Sequence, residues 1–329
     1  MKLCVIGCGN FARQFHGPAQ QQCAAQDPGL VLAACCDVDG NRARDYGDAF
    51  GFARRYTDAP EMLAAEQPDA VILAVPPTIT CGAASQVLAG GFPLFMEKPP
   101  GISREELSRL IEVAGKSPSR VQVGFNRRYM PVMRLAREII DRDFAPAPIM
   151  RVDYEMTRCN RWDRDFSTTA VHAIDAVRVL AGSPFRTAQF DYQPRTQGDR
   201  EAVDISIDLE CVSGTRVRLE IQPVAGCNTE SAKIHVVGHS LKIKIPYPGK
   251  ILGDGTVEHW HGDELIASFS DVGRDAPEKM GIVDETKAFL SAVRSGAGFS
   301  PGLRDCTQQV ELMEAIRLRQ TGTKVFQTS

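Results

Sequence analysis

The sequence predicts an α/β protein in which a doubly wound parallel sheet is followed by a second α/β domain with a mostly antiparallel open sheet. Early apolar runs such as residues 70–75 lack polar alternation, which is typical of parallel strands buried on both faces. Helical segments separate these runs, as parallel strands require. Residues 203–211 instead alternate, which indicates strands with one buried face. A chain of 329 residues is longer than a single hydrophobic core usually accommodates, so we expect two domains, at residues 1–125 and 126–329.

Each element of the first domain has a local signal. Strands are predicted where apolar residues run together between turn formers, at residues 2–6, 31–36, 54–56, 70–75, 92–96 and 120–125. Helices are predicted between them, at residues 41–50, 60–66, 83–89 and from 103 onward. Ser103, with Glu106 three residues later, predicts a capping box, and Gly90 with Gly91 ends the preceding helix.

In the second domain apolar residues occur at every second position and alternate with polar ones. Strands are predicted at residues 149–156, 203–211, 217–221 and 241–245. Helices are predicted at residues 131–141, 168–181, 284–295 and 305–319. Between the strand at residues 149–156 and the helix at residues 168–181, an arginine-rich loop is predicted at residues 158–166.

Composition excludes several functional classes. A net charge of −3 gives no reason to expect binding to nucleic acid or to an anionic membrane surface. No apolar run is long enough to span a membrane, and the first strand begins at the N-terminus, which leaves no room for a signal peptide. The ten cysteines include no C-x-x-C pair, so we expect reduced thiols in a cytoplasmic protein.

The first strand runs directly into a glycine-rich segment, Gly7-Cys8-Gly9-Asn10-Phe11-Ala12. This G-x-G-x-x-A spacing permits a tight turn, a close backbone approach to a pyrophosphate, and close packing of helix on strand. The alternative is a glycine-rich turn without a ligand. Because a second apolar strand follows and ends in an acidic residue, the context favours a dinucleotide at the helix N-terminus.

That acidic residue, Asp37, predicts which dinucleotide is bound. A carboxylate at the tip of the second strand accepts hydrogen bonds from the adenosine ribose and repels a 2′-phosphate, which favours NAD over NADP. Arg42 on the following helix either reaches back to support NADP or occupies a solvated helix position.

The chain resembles the Gfo/Idh/MocA family of NAD(P)-dependent sugar and cyclitol oxidoreductases over nearly its whole length. The most specific match is Glu97-Lys98-Pro99, which follows the fifth strand and matches the family's E-K-P signature. Further matches lie at residues 124–129, 172–175, 285, 289 and 293–296. The resemblance implies a Rossmann domain followed by an α/β domain whose open sheet packs against a partner subunit, giving a homodimer or homotetramer.

The match departs from the family pattern at two positions. Cys81 stands where relatives usually carry a histidine, and Thr168 stands where many carry an aspartate one helical turn before His172. The first departure affects the cofactor surroundings only slightly. The second puts the usual acid–base pair in question.

The resemblance makes Lys98 the candidate for proton transfer. Burial beside a positively charged nicotinamide disfavours its ammonium form, whereas a surface lysine paired with Glu97 is the structural alternative. His172 is the second catalytic candidate. Asp175 either orients its imidazole or pairs with Arg178.

The resemblance also implies contact sets. Besides the glycine-rich segment, Asp37 and Arg42, the cofactor is expected to contact Val75, Pro76, Pro77, Glu97 and Lys98. The substrate is expected to contact Lys98, Arg127, Tyr129, Arg158, Trp162, Thr168 and His172. Arg158, Arg161 and Arg164 together either bind an anion or form a solvated loop whose charge is offset by Asp163 and Asp165. Trp162 either stacks on a sugar or anchors the loop.

These observations favour an NAD-dependent oxidoreductase that transfers a hydride between nicotinamide and a secondary alcohol or ketone of a sugar, cyclitol or sugar acid. The partner is then a small polyol or sugar. The alternatives are a variant that retains NAD and uses transient oxidation for glycoside cleavage or epimerisation, and a non-catalytic nucleotide-binding regulator. His259 and His261 share a strand face without carboxylate or cysteine ligands at metal-binding spacing, so no metal is predicted.

Overall fold

The computed structural model describes residues 1–117, 120–144, 148–247 and 253–327. Among these, one parallel sheet contains the strands β1 (Lys2–Ile6), β2 (Val31–Cys36), β3 (Arg54–Tyr56), β4 (Ala70–Leu73), β5 (Leu94–Glu97) and β6 (Val121–Gly124). Their order is β3-β2-β1-β4-β5-β6, which confirms the predicted doubly wound sheet. The order reverses between β1 and β4, the point at which such sheets bind ligands beyond the strand carboxyl ends.

Helices connect these strands: α1 (Gly17–Gln26), preceded by a π-helical turn at Ala12–His16, α2 (Gly40–Phe50), α3 (Ala59–Glu66), α4 (Pro77–Ala89) and α5 (Arg104–Gly115). The start of α4 lies six residues before the predicted start, because a proline that ends a strand is also favourable in the first turn of a helix. None of the helices in the described segments is both long and apolar enough to cross a bilayer.

The predicted capping box at the start of α5 is half formed. The Ser103 hydroxyl accepts a hydrogen bond from the Glu106 N–H at 3.2 Å, as predicted. The Glu106 carboxylate accepts from the Ile102 N–H at 2.8 Å, one residue before the expected partner. The N–H groups of Ile102 and Glu106 therefore both have acceptors, and α5 begins directly after Ser103, as the sequence predicts.

The second sheet has the order β14-β13-β12-β11-β7-β10-β9-β8-β15 and is antiparallel except where β7 and β10 pair. Its strands are β7 (Arg151–Cys159), β8 (Phe185–Gln197), β9 (Arg200–Cys211), β10 (Arg216–Ala225), β11 (Thr229–Val236), β12 (His239–Lys244), β13 (Thr256–His261), β14 (Glu264–Ser270) and β15 (Gly322–Val325). The later helices are α6 (Pro131–Ile139), α7 (Ser167–Ala181), α8 (Ala276–Lys279), α9 (Ile282–Ser295) and α10 (Thr307–Arg317).

The period of two predicted for this sheet is confirmed by burial. In β10, Val217, Leu219 and Ile221 are buried, whereas the intervening Arg218 and Glu220 are more exposed. Helix α7 packs against β7 and β10. One face of the sheet is therefore apolar and covered, and the other face is polar.

The described chain divides into two compact units that do not coincide with the expected domains of 1–125 and 126–329. Unit 1 comprises Met1–Asn126 and Gly281–Val310, and unit 2 comprises Arg127–Met280 and Glu311–Ser329. Helix α9 belongs to unit 1 because Phe289 and Leu290 are buried in the same apolar cluster as Leu3 and Phe95. The boundary near residue 126 is visible in the sequence as a local change of pattern. The return of Gly281–Val310 to unit 1 is not, because it depends on tertiary packing.

Unit 2 contains a buried ionic cluster. The Glu230 carboxylate accepts hydrogen bonds from Arg127 at 2.7 Å and from Arg158 at 2.6 Å, and also from the Tyr154 hydroxyl. The Arg158 guanidinium also lies over the Tyr247 ring, 3.8 Å from its centroid. Burial alone raises the pKa of Glu230, but the two guanidiniums outweigh burial and hold it at about 2.

This cluster corrects two substrate assignments made from the sequence. Arg158 lies within β7 and not in a loop, because the strand continues three residues beyond its predicted end. The Arg158 and Arg127 side chains are only 1% and 3% exposed, and both are committed to Glu230. They stabilise the interior of unit 2 and do not present their guanidiniums to a substrate carboxylate or phosphate.

We expect Glu230→Gln to lower the free energy of unfolding by about 3–5 kcal/mol, because it leaves two buried guanidiniums without a compensating charge. Urea unfolding followed by circular dichroism measures the change. Glu220→Gln on the exposed face of the same sheet removes a carboxylate that pairs with Arg218 and serves as the matched control. That control should lose less than about 1 kcal/mol.

The pH dependence gives a second check on this cluster. Because the folded-state pKa of Glu230 lies below its ordinary value of 4.5, its contribution is complete above that pH and is lost as the pH falls through about 2. The stability difference between wild type and Glu230→Gln should follow this course. Equal stability of the two proteins at neutral pH would show that the cluster contributes nothing to folding.

Candidate active site

The glycine-rich turn after β1 is shaped by a close approach to the end of β4. Gly7 has φ +95°, and a Cβ there would lie 2.2 Å from the Ala74 carbonyl oxygen. Gly9 differs, because a Cβ at this position would meet no described atom within 4 Å. Gly7 is thus required by the fold, whereas the backbone at Gly9 is open to a ligand.

A helix starts directly at this turn. The Arg13 N–H donates to the Gly9 carbonyl at 2.9 Å, so the N–H groups just before it are those that a helix cannot satisfy internally. Asn10 and Phe11 are exposed at this end, and Ala12 is buried against the sheet. The arrangement provides backbone donors and the positive end of a helix dipole for a pyrophosphate.

Asp37 connects the end of β2 to the same turn. Its Oδ2 accepts from the Cys8 N–H at 2.9 Å, and its Oδ1 accepts from the Asp39 N–H at 3.0 Å. The carboxylate is partly exposed and is held in place for ribose hydroxyls. Arg42 is exposed and lies 3.6 Å from Asp39, so its charge is partly offset there.

Two exposed apolar residues at this sheet edge were not predicted. Val38 follows β2 and is 92% exposed, and Ile79 follows β4 on α4 and is 54% exposed. Phe11, at 40% exposed, follows β1. The sequence could have indicated them, because each is an apolar residue that lies shortly after the end of a strand, where turn residues are usually polar. Of the predicted cofactor contacts here, Pro76 is exposed, and Val75 and Pro77 are partly exposed.

Lys98 follows β5 at the same edge and is partly buried. The preceding Glu97 is 8% exposed; its Oε1 lies 2.7 Å from Nε2 of the fully buried His16, and its Oε2 accepts from the Lys98 N–H at 3.2 Å. The Lys98–Pro99 peptide is cis. His16 was missed because its partner lies 81 residues away in the sequence.

In unit 2, the second catalytic candidate lies on α7. His172 is partly exposed, and Thr168 precedes it by one turn. Asp175 is fully buried and accepts from Arg128 at 2.6 and 2.9 Å. Neither alternative predicted for Asp175 included Arg128, because this pair depends on tertiary packing of α7 on the turn that contains Arg128 and Tyr129.

The structure separates the arginines expected to form an anion clamp. Arg158 is inside unit 2, whereas Arg161 donates to Asp163 at 2.7 Å, as the solvated-loop alternative predicts. The Trp162 indole N–H donates to the Asn160 side chain at 2.9 Å, and the Arg200 guanidinium lies 5.1 Å from its ring. These contacts anchor Trp162 to the loop while leaving it partly exposed.

The histidines of β12 and β13 pack on each other. His239 Nδ1 lies 3.1 Å from His259 Nε2, and the rings of His239 and His261 stack with centroids 4.4 Å apart. Burial lowers the pKa of His259. Among the residues that the structure describes, no group of three or more His, Cys, Asp or Glu side chains is arranged to hold a metal ion.

Comparison with known proteins agrees with this geometry. Residues 1–125 match a family model described as an oxidoreductase family with an NAD-binding Rossmann fold, GFO_IDH_MocA. An inositol 2-dehydrogenase from Burkholderia cenocepacia is 27% identical, over 98% of this chain and 95% of that protein. The rhizopine catabolism protein MocA from Rhizobium meliloti is 26% identical, over 66% and 70%.

Solved structures share the fold. A dehydrogenase from Chromobacterium violaceum superposes with a TM-score of 0.83 at 20% identity, covering 97% of this chain and 95% of that one. A levoglucosan dehydrogenase in complex with NADH and L-sorbose has a TM-score of 0.81 at 17% identity, covering 99% and 98%. The glycine-rich turn, Asp37 and the Glu97-Lys98-Pro99 segment all lie within residues 1–125, and this part of the chain is an NAD-binding Rossmann domain that matches the GFO_IDH_MocA oxidoreductase family.

Proposed function

We propose that this protein is an NAD-dependent dehydrogenase that acts on a secondary alcohol of a sugar, cyclitol or sugar acid. The observation that carries the proposal is the position of Lys98, partly buried at the carboxyl end of β5 in the sheet that carries the glycine-rich turn. A similar protein is named inositol 2-dehydrogenase, and a levoglucosan dehydrogenase of the same fold was solved with NADH and L-sorbose. Both names support a polyol substrate.

The residues of unit 1 fit the cofactor. The open backbone at Gly9 and the helix start at Asn10 receive the pyrophosphate, and Asp37 receives the ribose. Val38 after β2 and Ile79 on α4 supply exposed apolar surface, which we assign to the adenine ring. We assign Val75, Pro76, Pro77 and Glu97 to the walls of the same crevice.

Oxidation of a secondary alcohol removes one hydride and one proton from the substrate. Bound NAD supplies the hydride acceptor. In this proposal the neutral amine of Lys98 accepts the hydroxyl proton at Nζ, and in the reverse direction its ammonium returns that proton to the carbonyl oxygen. His172 donates a hydrogen bond to a substrate hydroxyl, and Thr168 offers a second hydroxyl one turn earlier. Tyr129 and Trp162 complete the proposed substrate contacts.

We also propose that the protein forms a homodimer or homotetramer through the polar face of its second sheet. On this face Arg218 of β10 lies 2.5 Å from Asp208 of the neighbouring β9 and 2.5 Å from Glu220 of its own strand, so positive and negative charges lie side by side. Such a surface is complementary to a copy of itself turned by a two-fold axis. The ten free thiols fit the reducing cytoplasm expected from the sequence.

We expect Lys98→Ala to reduce turnover about 10²–10⁴-fold, since it removes the general acid–base group. NADH affinity, measured by fluorescence titration, should stay within a few-fold of the wild type. Lys116→Ala on the exposed end of α5 is the matched control and should keep full turnover. Turnover on a polyol panel gives the readout, and near-normal activity of Lys98→Ala would exclude this lysine from proton transfer.

We expect His172→Ala to raise the substrate KM with little change in kcat, because its proposed role is to hold a hydroxyl and not to transfer the proton. Steady-state kinetics at saturating NAD separates the two constants. His235→Ala is the control, since this partly exposed histidine on β11 bonds Ser240 within its own sheet. A large fall in kcat at unchanged KM would instead assign His172 to chemistry.

We expect NADH to bind at least about tenfold more tightly than NADPH, because a 2′-phosphate placed beside the Asp37 carboxylate meets like charge. Asp37→Asn should narrow this preference. Asp45→Asn, an exposed charge on α2, should leave it unchanged. Parallel fluorescence titrations with both dinucleotides measure the ratio, and equal affinities in the wild type would contradict the assignment.

We expect light scattering coupled to size-exclusion chromatography to give a dimer or tetramer at micromolar protein. Arg218→Glu places three carboxylates together on the proposed contact face and should shift the population toward monomer. Its thermal unfolding is recorded to confirm that the variant is folded. A monomeric wild type would rule out this interface.

A further inference from the structure

The most deeply buried histidine of the chain lies between the cofactor turn and Lys98. His16 has no exposed surface and ends the π-helical turn that follows the glycine-rich segment. Its Nε2 lies 2.7 Å from Oε1 of Glu97, the residue that precedes Lys98. Fold stability alone does not require a buried, hydrogen-bonding histidine here, because an apolar residue of similar volume can fill such a space.

Glu97 continues this contact to the catalytic candidate. Its second oxygen, Oε2, accepts from the Lys98 backbone N–H at 3.2 Å, and Glu97 as a residue is buried. A continuous hydrogen-bonded path therefore runs from the π turn through His16 and Glu97 to the backbone that carries the lysine. The path joins the helix that receives the pyrophosphate to the strand end that positions the proton-transfer group.

The contacts of the imidazole define its orientation and favoured tautomer. The His16 ring packs edge-on against Phe11 and Phe95, with centroids 5.5 and 5.7 Å away. Its Nδ1 is buried and has no hydrogen-bond partner among the described residues. A proton on Nδ1 would be a buried donor without an acceptor, so the tautomer that carries its proton on Nε2 and donates it to Glu97 is favoured.

The π turn explains how His16 reaches Glu97. The Gly17 N–H donates to the Ala12 carbonyl, five residues back instead of four, so the helix contains one extra residue at this point. As a result Phe15, His16 and Gly17 are all buried in succession. A π turn costs hydrogen-bond geometry and occurs often at functional sites.

We propose that His16 is a positioning residue for the dehydrogenase reaction: it holds Glu97 and, through Glu97, fixes the Lys98 backbone relative to bound cofactor. This proposal rests on the proposed function, because it assumes that Lys98 transfers the proton. His16 itself contacts neither substrate nor reacting atoms. Its effect is therefore on the alignment of Lys98, which enters kcat more than dinucleotide binding.

The test compares His16→Leu with His16→Gln. Leucine fills the space without a donor, and we expect kcat to fall about 10–100-fold with NADH affinity nearly unchanged. The glutamine amide N–H can occupy the position of Nε2, so His16→Gln should recover most of the lost kcat. Gln20→Leu is the matched control: it removes a buried side chain of α1 that bonds Tyr46 at 2.8 Å, and it should lower thermal stability but keep kcat.

A double mutant separates this proposal from the proposed function. If His16 acts through Lys98, His16→Leu in the Lys98→Ala background costs no further activity. Near-normal turnover of Lys98→Ala alone refutes the lysine assignment, whereas a further loss of turnover in the double mutant refutes only the role of His16. Should His16→Leu fail to fold, Glu97→Gln carries the same test, because its amide cannot accept from both donors. Unchanged kcat in Glu97→Gln, or no recovery in His16→Gln, would overturn the positioning role.

Discussion

The passage of the chain between the ends of β1 and β4 is the constraint on which the cofactor site depends. At Gly7 a side chain atom would overlap the Ala74 carbonyl, so the turn can form only around a residue without Cβ. The Gly7 N–H then donates to the Cys36 carbonyl at 2.8 Å, and the next N–H donates to Asp37. Gly7 thus sets the position of the helix start relative to Asp37, through contacts that involve the ends of β1, β2 and β4.

Most of the fold follows from local patterns, because strand ends and helix caps are set by residues a few positions apart. The strand Arg54–Tyr56 and the cap at Ser103 lie where the sequence predicts them. The predicted start of α4 was wrong because a proline such as Pro77 is typical both of the end of a strand and of the first turn of a helix. Local pattern cannot decide between them without the packing of the helix on the sheet.

The candidate site divides in the same way. Residues 7–12, Asp37 and Lys98 are predictable because their positions follow from strand ends. Arg158 and Glu230 required pairing across 72 residues. A signal was available: Arg158 is in phase with the buried Tyr154 of its strand, and Glu230 is in phase with buried apolar residues of β11. A charged residue at a core position of an alternating strand predicts a buried partner and not a surface contact.

The assignment of α9 to unit 1 has a consequence for synthesis of the chain. When the ribosome has completed β6, the apolar cluster that includes Leu3 and Phe95 still lacks Phe289 and Leu290. More than 150 residues of unit 2 must emerge before those side chains can close the cluster. The nucleotide-binding unit therefore cannot be completed until Gly281–Val310 has been made, although most of it is made first, and its uncovered apolar surface is exposed to chaperones throughout that interval.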